Sequence, residues 1–108
     1  MWKVWEEGMR ALAAEKHVTV KLSQLGLTKK GWESNTQDYE LVKRVTLKVI
    51  ELFGVDRCMF ASNFPVDRFF GTEMDVLYRS FYDWVKDFST SDKQALFAGT
   101  AKRVYRID

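Results

Sequence analysis

The sequence places two short apolar segments on either side of one long amphipathic segment, and this order constrains the fold more than any other feature. Residues 18–23 alternate apolar and polar side chains and are rich in β-branched types, which predicts a strand. Residues 57–62 are apolar on both faces, as strands buried in parallel sheets are. Strands joined through a helix pair in parallel by a right-handed crossover. We therefore predict an α/β fold in which the two strands are parallel and adjacent.

Helices are predicted before and between the strands. Residues 2–14 carry apolar side chains at helical spacing, and residues 24–35 are predicted to form a loop. Ser34 and Gln37 have the spacing of a capping box, and Gly54 is placed to end the helix between the strands. The buried face of that helix is predicted to contain Leu41, Val42, Val45, Val49, Leu52 and Phe53.

Two further helices are predicted after the second strand. Thr72 is the expected cap of the first, and Ser91 with Gln94 repeats the capping-box spacing before the second. Gly99 is expected to break that last helix. The first of these two helices, which is the third of the chain, is predicted to carry an apolar stripe of Met74, Leu77, Tyr78, Phe81, Trp84, Val85 and Phe88.

Two parallel strands do not make a complete fold, because a parallel sheet needs helices on both faces or closure into a barrel. A complete (β/α)8 barrel takes about 250 residues, whereas this chain has 108. We find no repeat, linker or low-complexity segment, so residues 1–108 are taken as one domain. The expected fold is a partial TIM barrel with two strand–helix units and the helix that precedes them.

Charge and composition argue against several classes of partner. The net charge is +2 with acidic and basic residues mixed along the chain, so no basic cluster for nucleic acid is present. No apolar run approaches the roughly 18 residues that cross a membrane, so we expect no membrane association. A single cysteine excludes an internal disulfide and favours a reduced, cytoplasmic location.

Several blocks, in order and with matching spacing, resemble the end of the amidohydrolase-related family that includes sugar-lactone and dicarboxylate lactonases. The resemblance covers nearly the whole chain. It is carried by residues 20–23, Gly31-Trp32, residues 53–67 and the closing residues 95–106.

The resemblance implies a barrel hydrolase whose active site lies at the carboxyl ends of the strands. Members of the family bind one or two divalent metals, often zinc, through histidines on strands that this chain would not contain. Residues 57–62 resemble the eighth and last strand, and the family aspartate that follows it falls on Asn63. An amide cannot act as a general base, and Ala61 occupies a position that is often acidic in relatives with asparagine here. The metal ligands of a parent protein are therefore expected to lie mostly outside this chain.

Three candidate residues follow the strands on loops. Asn63 is a catalytic candidate at the barrel mouth, although a turn residue that caps its own backbone is the alternative. Asp67 is the second catalytic candidate, with an exposed loop acid paired to Arg68 or Arg57 as the alternative. Trp32 either forms a wall of the substrate pocket or packs its loop against the barrel.

Alternation in the first strand turns its valines and leucine toward the outer helices and turns Lys21 and Ser23 toward the barrel interior. Lys21 either binds a substrate carboxylate or developing oxyanion or pairs with a structural carboxylate. Ser23 has no base beside it and is predicted to bind substrate only. His17, the only histidine, is expected at the opposite end of the strands, where it cannot build a zinc site alone.

We expect the parent protein to hydrolyse a lactone or another ester or amide-type bond in a small-molecule substrate, with water activated by a metal or an acidic residue. The alternative is a truncated or degenerate barrel fragment without catalytic activity. Open strand edges recruit other chains, so residues 1–108 alone are expected to self-associate. They are also expected to show no hydrolysis, because a metal that activates water needs ligands that this chain does not carry. Besides the small-molecule substrate, a second copy of the chain in a homo-oligomer is an expected partner.

Overall fold

In a computed structural model of the protein, residues 2–23, 31–62 and 73–106 are described. The order of helices and strands agrees with the order predicted from the sequence. The elements are α1 (Trp2–Ala13), β1 (Val20–Leu22), a 3-10 turn (Trp32–Ser34), α2 (Thr36–Phe53), a second 3-10 turn (Val55–Arg57), β2 (Cys58–Phe60), α3 (Met74–Trp84), α4 (Thr90–Gln94), a π-helical turn (Ala95–Gly99) and α5 (Thr100–Tyr105).

Strands β1 and β2 are parallel neighbours, as predicted, with α2 as the crossover between them. Val20 lies opposite Cys58, and Leu22 lies opposite Phe60. Just past β2, the backbone N–H of Ala61 donates to the carbonyl of Leu22 over 3.2 Å, which extends the ladder by one bond. Each strand has only three residues, so both are shorter than the predicted segments.

The core lies between this sheet and the helices. Leu22 faces it from β1, and Val20 of the same strand and the preceding Val18 are partly buried beside it, which confirms the predicted alternation. Phe60 stacks on Phe81 of α3 with 4.2 Å between ring centroids and contacts Phe97 of the π-helical turn at 4.8 Å. Met59 is buried as well, although it is not part of that core. Strand β2 is therefore buried on both faces, as its composition predicts.

Helix α2 buries most of the predicted face, with one exception. Leu41 is 38% exposed. Each residue turns the helix by about 100°, so Leu41 points to one side of the stripe that faces the core and includes Val42. Thr46 and Ile50, which were not predicted, lie on the buried stripe instead. The buried positions of this helix are Val42, Thr46, Val49, Ile50 and Phe53.

Helix α3 begins at Met74 with Glu73 at the N-cap position. The predicted cap, Thr72, lies outside the described residues. Met74 itself is 42% exposed, so the predicted stripe is buried only from the next turn onward. The buried members of the predicted stripe are Leu77, Phe81, Trp84 and Val85.

No helix in the described part of the chain is both long enough and apolar enough to cross a membrane.

Two predicted helix caps are each displaced along the chain. Asn35 rather than Ser34 caps α2, and Ser89 rather than Ser91 caps α4. In both cases the side-chain oxygen accepts from the backbone N–H three residues later, over 3.1 Å. Ser34 belongs to a 3-10 turn, and asparagine directly before the first helical residue is among the strongest caps.

The two glycines predicted to end helices behave differently. Gly54 ends α2 with φ 82°, a backbone conformation that favours glycine, which confirms the prediction. Gly99 does not break the last helix, because it keeps helical angles of φ −61° and ψ −47° inside a continuous run from Thr90 to Tyr105. A helical glycine costs about 1 kcal/mol relative to alanine, and the burial of Leu96 and Thr100 on either side outweighs that cost.

Arg57 connects the ends of three segments at the amino end of the sheet. Its guanidinium donates to the carbonyls of Ala13 at 2.9 Å and Glu15 at 3.0 Å, where α1 ends. It also donates to Val18 at 3.4 Å, just before β1, and to Phe53 at 3.1 Å, the last residue of α2. A single side chain therefore satisfies carbonyls that helix ends would leave unpaired.

Replacement of Arg57 by methionine is expected to lower the free energy of unfolding by about 2–4 kcal/mol, because partly buried carbonyls lose a charged donor. Urea unfolding followed by circular dichroism measures this change. Arg79→Met is the matched control, since Arg79 only pairs with the exposed Asp75 at 3.2 Å and should cost less than about 0.5 kcal/mol. Equal losses in the two variants would contradict the role given to Arg57.

Cys58 is fully buried, and its thiol donates to the carbonyl of Val49 over 3.9 Å. Burial raises the pKa of the Cys58 thiol from 9.0 to about 12, against the opposing effect of the nearby Arg57 charge. Between these values the unfolded chain loses its proton and the folded chain keeps it, so stability falls as pH rises from 9 toward 12.

The free energy of unfolding should therefore decrease by up to about 1.4 kcal/mol per pH unit above pH 9 because of Cys58. Urea unfolding at a series of pH values measures this slope. Cys58→Ala is less stable at pH 7 but lacks this contribution, so its slope should be shallower. Parallel pH profiles for the two proteins would contradict the raised pKa.

Candidate functional site

The carboxyl ends of the two strands meet at one edge of the sheet. Leu22 and Phe60 are opposite each other, so Ser23 and Ala61, both half-buried, are the next residues on each strand. The parallel register therefore places Ser23 beside the carboxyl end of β2, from which the chain continues to Asn63. Asn63 and Asp67 lie outside the described residues, and their grouping with Ser23 remains a prediction.

Lys21 is exposed on the face of β1 opposite the core, as the alternation predicts. Its Nζ lies 4.9 Å from the centre of the Tyr105 ring in α5. That helix is attached at the amino end of β2, where Thr100 Oγ1 donates to the carbonyl of Val55 over 2.7 Å. The described partner of Lys21 is therefore an aromatic ring, and neither of the two alternatives predicted from the sequence includes it. Its binding of a substrate remains a prediction.

Trp32 is completely buried. Its ring lies 5.8 Å from that of Tyr39 in α2 and 5.6 Å from that of Trp84 in α3. Of the two alternatives open at the sequence level, this geometry favours packing, because a fully enclosed ring presents no surface to a substrate. Tyr39 and Trp84 also contact each other edge to face, at 5.7 Å. The three rings therefore fix the turn that follows β1 against two helices.

His17 is exposed and lies before β1, at the amino end of the sheet and opposite Ser23. Within the described ranges, no group of three or more histidine, cysteine, aspartate or glutamate side chains is arranged to hold a metal ion. The raised pKa of Cys58, about 12, also keeps that thiol protonated at neutral pH. The part of the chain that the structure describes does not form a metal centre.

Comparison with known proteins identifies the family. The family model described as amidohydrolase matches residues 1–107. The chain belongs to the amidohydrolase family. This result confirms the resemblance seen in the residues on and after the two strands.

Two curated relatives are similar to this amidohydrolase chain. One is an uncharacterized protein, y4mH, of Sinorhizobium fredii, with 38% identity over 103 residues, covering 95% of this chain and 33% of the relative. The other is L-fucono-1,5-lactonase of Burkholderia multivorans, with 30% identity over 106 residues, covering 95% of this chain and 35% of the enzyme. The chain thus spans about a third of the length of these relatives.

Two solved structures share the fold of this amidohydrolase chain. Both are crystal structures of an amidohydrolase from Burkholderia multivorans, one with bound HEPES and one with bound zinc. Each is 30% identical, superposes with a TM-score of 0.85, and is matched over 96% of this chain and 37% of its own length. The α/β architecture with two parallel strands therefore corresponds to part of an amidohydrolase fold.

Replacement of Trp32 by alanine is expected to lower the free energy of unfolding by about 3–5 kcal/mol, because it removes a fully buried ring. Trp2→Ala is the matched control, since that ring is 37% exposed and its described contacts are a tilted pair with Trp5 and the Arg44 guanidinium 4.9 Å away. Urea unfolding of both variants gives the comparison. A loss for Trp32→Ala no larger than that for Trp2→Ala would contradict the packing role.

Proposed function

We propose that this chain forms the last two strand–helix units of a (β/α)8 barrel hydrolase that opens a lactone or another ester or amide-type bond with an activated water. The parallel register of β1 and β2 carries this proposal, because it aligns two carboxyl strand ends at one edge. Active sites of barrel enzymes lie at that end of their strands. Family membership and the similarity to a lactonase support hydrolysis as the reaction.

Within this proposal, Asn63 and Asp67 act on the reacting carbonyl. The carboxylate of Asp67 accepts a proton from water as the water oxygen attacks the carbonyl carbon. The side-chain amide of Asn63 donates to the oxygen on which negative charge develops. The ring C–O bond then breaks and the leaving oxygen takes up the proton, which gives the open hydroxy acid.

Ser23 and Lys21 are assigned to substrate binding. The Ser23 hydroxyl, next to the carboxyl end of β1, can hydrogen-bond a sugar hydroxyl without a role in bond breaking. Lys21 would attract the carboxylate product, and its contact with Tyr105 holds its ammonium on the face opposite the core. Trp32 is assigned to the packing of its own 3-10 turn, since its ring is fully buried.

A divalent metal such as zinc is proposed for the parent protein, supported by the zinc-bound structure of a similar amidohydrolase. The described residues do not form a site for it, and its ligands are assigned mostly to parts of the parent protein outside this chain. Residues 1–108 alone are proposed to be inactive, because the only histidine of the chain lies at the wrong end of the strands.

A chimera tests this proposal. The matched third of the Burkholderia multivorans lactonase is replaced by this chain, and hydrolysis of L-fucono-1,5-lactone is followed by acid release. The chimera should hydrolyse the lactone, and Asn63→Ala and Asp67→Ala should each lower kcat/KM by about 10²-fold or more.

Two controls accompany the chimera. Asp87→Ala removes an exposed acid after α3 and should leave the rate unchanged. Residues 1–108 alone should show no turnover with or without added zinc. Turnover by the isolated chain, or equal rates for the Asn63, Asp67 and Asp87 variants of the chimera, would refute the proposed site.

A further inference from the structure

We infer that, within the lactone hydrolysis proposed above, the ring of Tyr105 competes with the carboxylate product for the ammonium group of Lys21. This competition rests on the proposed function, in which Lys21 attracts that carboxylate. Tyr105 is thereby a positioning residue, because it acts on the product only through Lys21. Its effect is to weaken the binding of the anionic product more than the binding of the neutral lactone.

The last helical run of the chain passes from the carboxyl end of the sheet to its amino end. Phe97, in the π-helical turn, contacts Phe60 at the end of β2, with 4.8 Å between the ring centroids. About one turn later, the hydroxyl of Thr100 donates to the carbonyl of Val55, which precedes β2. Tyr105 ends this run, more than one further turn along. Its backbone therefore lies at the amino end of the strands.

The side chain of Lys21 extends toward that amino end. Lys21 lies opposite Met59 in the middle of the ladder, and its Nζ is 4.9 Å from the centre of the Tyr105 ring. A side chain on a helix leans back toward the start of its helix, so the ring of Tyr105 and the ammonium approach each other along the sheet. Ser23 lies two residues beyond Lys21, roughly 7 Å nearer the carboxyl edge. The ammonium therefore points away from the edge to which the substrate is assigned.

The ring and a carboxylate at the carboxyl edge cannot hold the ammonium of Lys21 at the same time. The lysine has a flexible four-carbon stem, which can turn toward Ser23 only when Nζ leaves the Tyr105 ring. Both side chains are exposed, so nothing as rigid as a packed core fixes the lysine in one arrangement. A contact between lysine and an aromatic ring at an exposed site corresponds to a preference of about two- to fivefold.

This preference acts differently on the two ends of the reaction. A ligand that requires a less populated arrangement binds more weakly by the fraction of molecules in that arrangement. The hydroxy acid product carries a carboxylate and gains from an ammonium turned toward the carboxyl edge, whereas the lactone has no charge to offer it. The Tyr105 ring therefore favours release of the product over release of the substrate.

Replacement of Tyr105 by leucine in the lactonase chimera tests the competition. The dissociation constant of the hydroxy acid, measured by titration followed by NMR, should fall by about two- to fivefold, because no ring then withdraws the ammonium. The KM for the neutral lactone should change by a smaller factor. Tyr105→Phe keeps an aromatic ring and should keep a dissociation constant close to that of the unchanged chimera.

Two controls separate this effect from a general loss of packing. Tyr82→Leu changes a tyrosine that is 58% exposed, against 48% for Tyr105, and that stacks on Phe97, so it should leave product binding unchanged. In a chimera with Lys21→Met, Tyr105→Leu should no longer alter product binding. The hydroxy acid is also titrated into a chimera that does not hydrolyse the lactone, so loss of activity alone counts against the proposed function and not against the competition.

A second measurement needs no substitution. The ε-methylene protons of Lys21 should resonate upfield of those of the other lysines, because they lie beside the face of the Tyr105 ring. Saturation of the chimera with the hydroxy acid should remove this shift. The competition is overturned by a shift that persists at saturation, by a chimera that does not bind the hydroxy acid, or by equal effects of Tyr105→Leu and Tyr82→Leu on its binding. Equal effects of Tyr105→Leu on the lactone and on the hydroxy acid would also overturn it.

Discussion

The short parallel ladder between β1 and β2 determines where the other parts of this chain can lie. Pairing of Val20 with Cys58 and of Leu22 with Phe60 requires α2 to cross over on one face. Phe60 then points into the same core as Phe81, and α3 packs there. Three residues per strand give few backbone bonds, so the packing of helices on this face supplies most of the stability.

Arg57 and Thr100 reinforce the amino end of that ladder by different means. The Arg57 guanidinium gathers carbonyls from the end of α1, the approach to β1 and the end of α2. The hydroxyl of Thr100 attaches the last helix to the carbonyl of Val55, next to β2. Within the described residues, both sets of polar contacts lie at the amino end of the strands. In barrel enzymes that end of the strands serves stability, whereas catalytic residues lie at the carboxyl end.

Much of the architecture could be predicted because the signals are local and repeated. The alternation in β1, the apolar character of β2 and the helical period of the intervening segment together predict parallel neighbours. Single-residue signals were less reliable. Ser34 and Ser91 have correct spacing for caps, yet Asn35 and Ser89 cap the helices, since the choice depends on where the first turn begins. Gly99 remains helical because tertiary burial around it outweighs its low propensity.

The candidate site was less predictable, for a physical reason. Whether Trp32 lines a pocket or packs in a core depends on Tyr39 and Trp84. Tyr39 belongs to the next helix, and Trp84 is remote in sequence and contributes no local signal. The ring of Tyr105 beside Lys21 is likewise a contact between the first strand and the last helix. The catalytic assignment to Asn63 comes from family resemblance, because neither periodicity nor composition distinguishes a catalytic amide from a turn residue. That of Asp67 comes from its place on the loop after the second strand.

The most direct measurement of the central claim is a crystal structure of the lactonase chimera with a bound lactone or its hydrolysis product. The account predicts that β1 and β2 are parallel neighbours within a closed barrel, with Val20 opposite Cys58. It also predicts that the ligand lies at the carboxyl edge, in contact with Asn63 and beside Ser23. A structure with the two strands apart, or with the ligand at the end that carries His17, would contradict it.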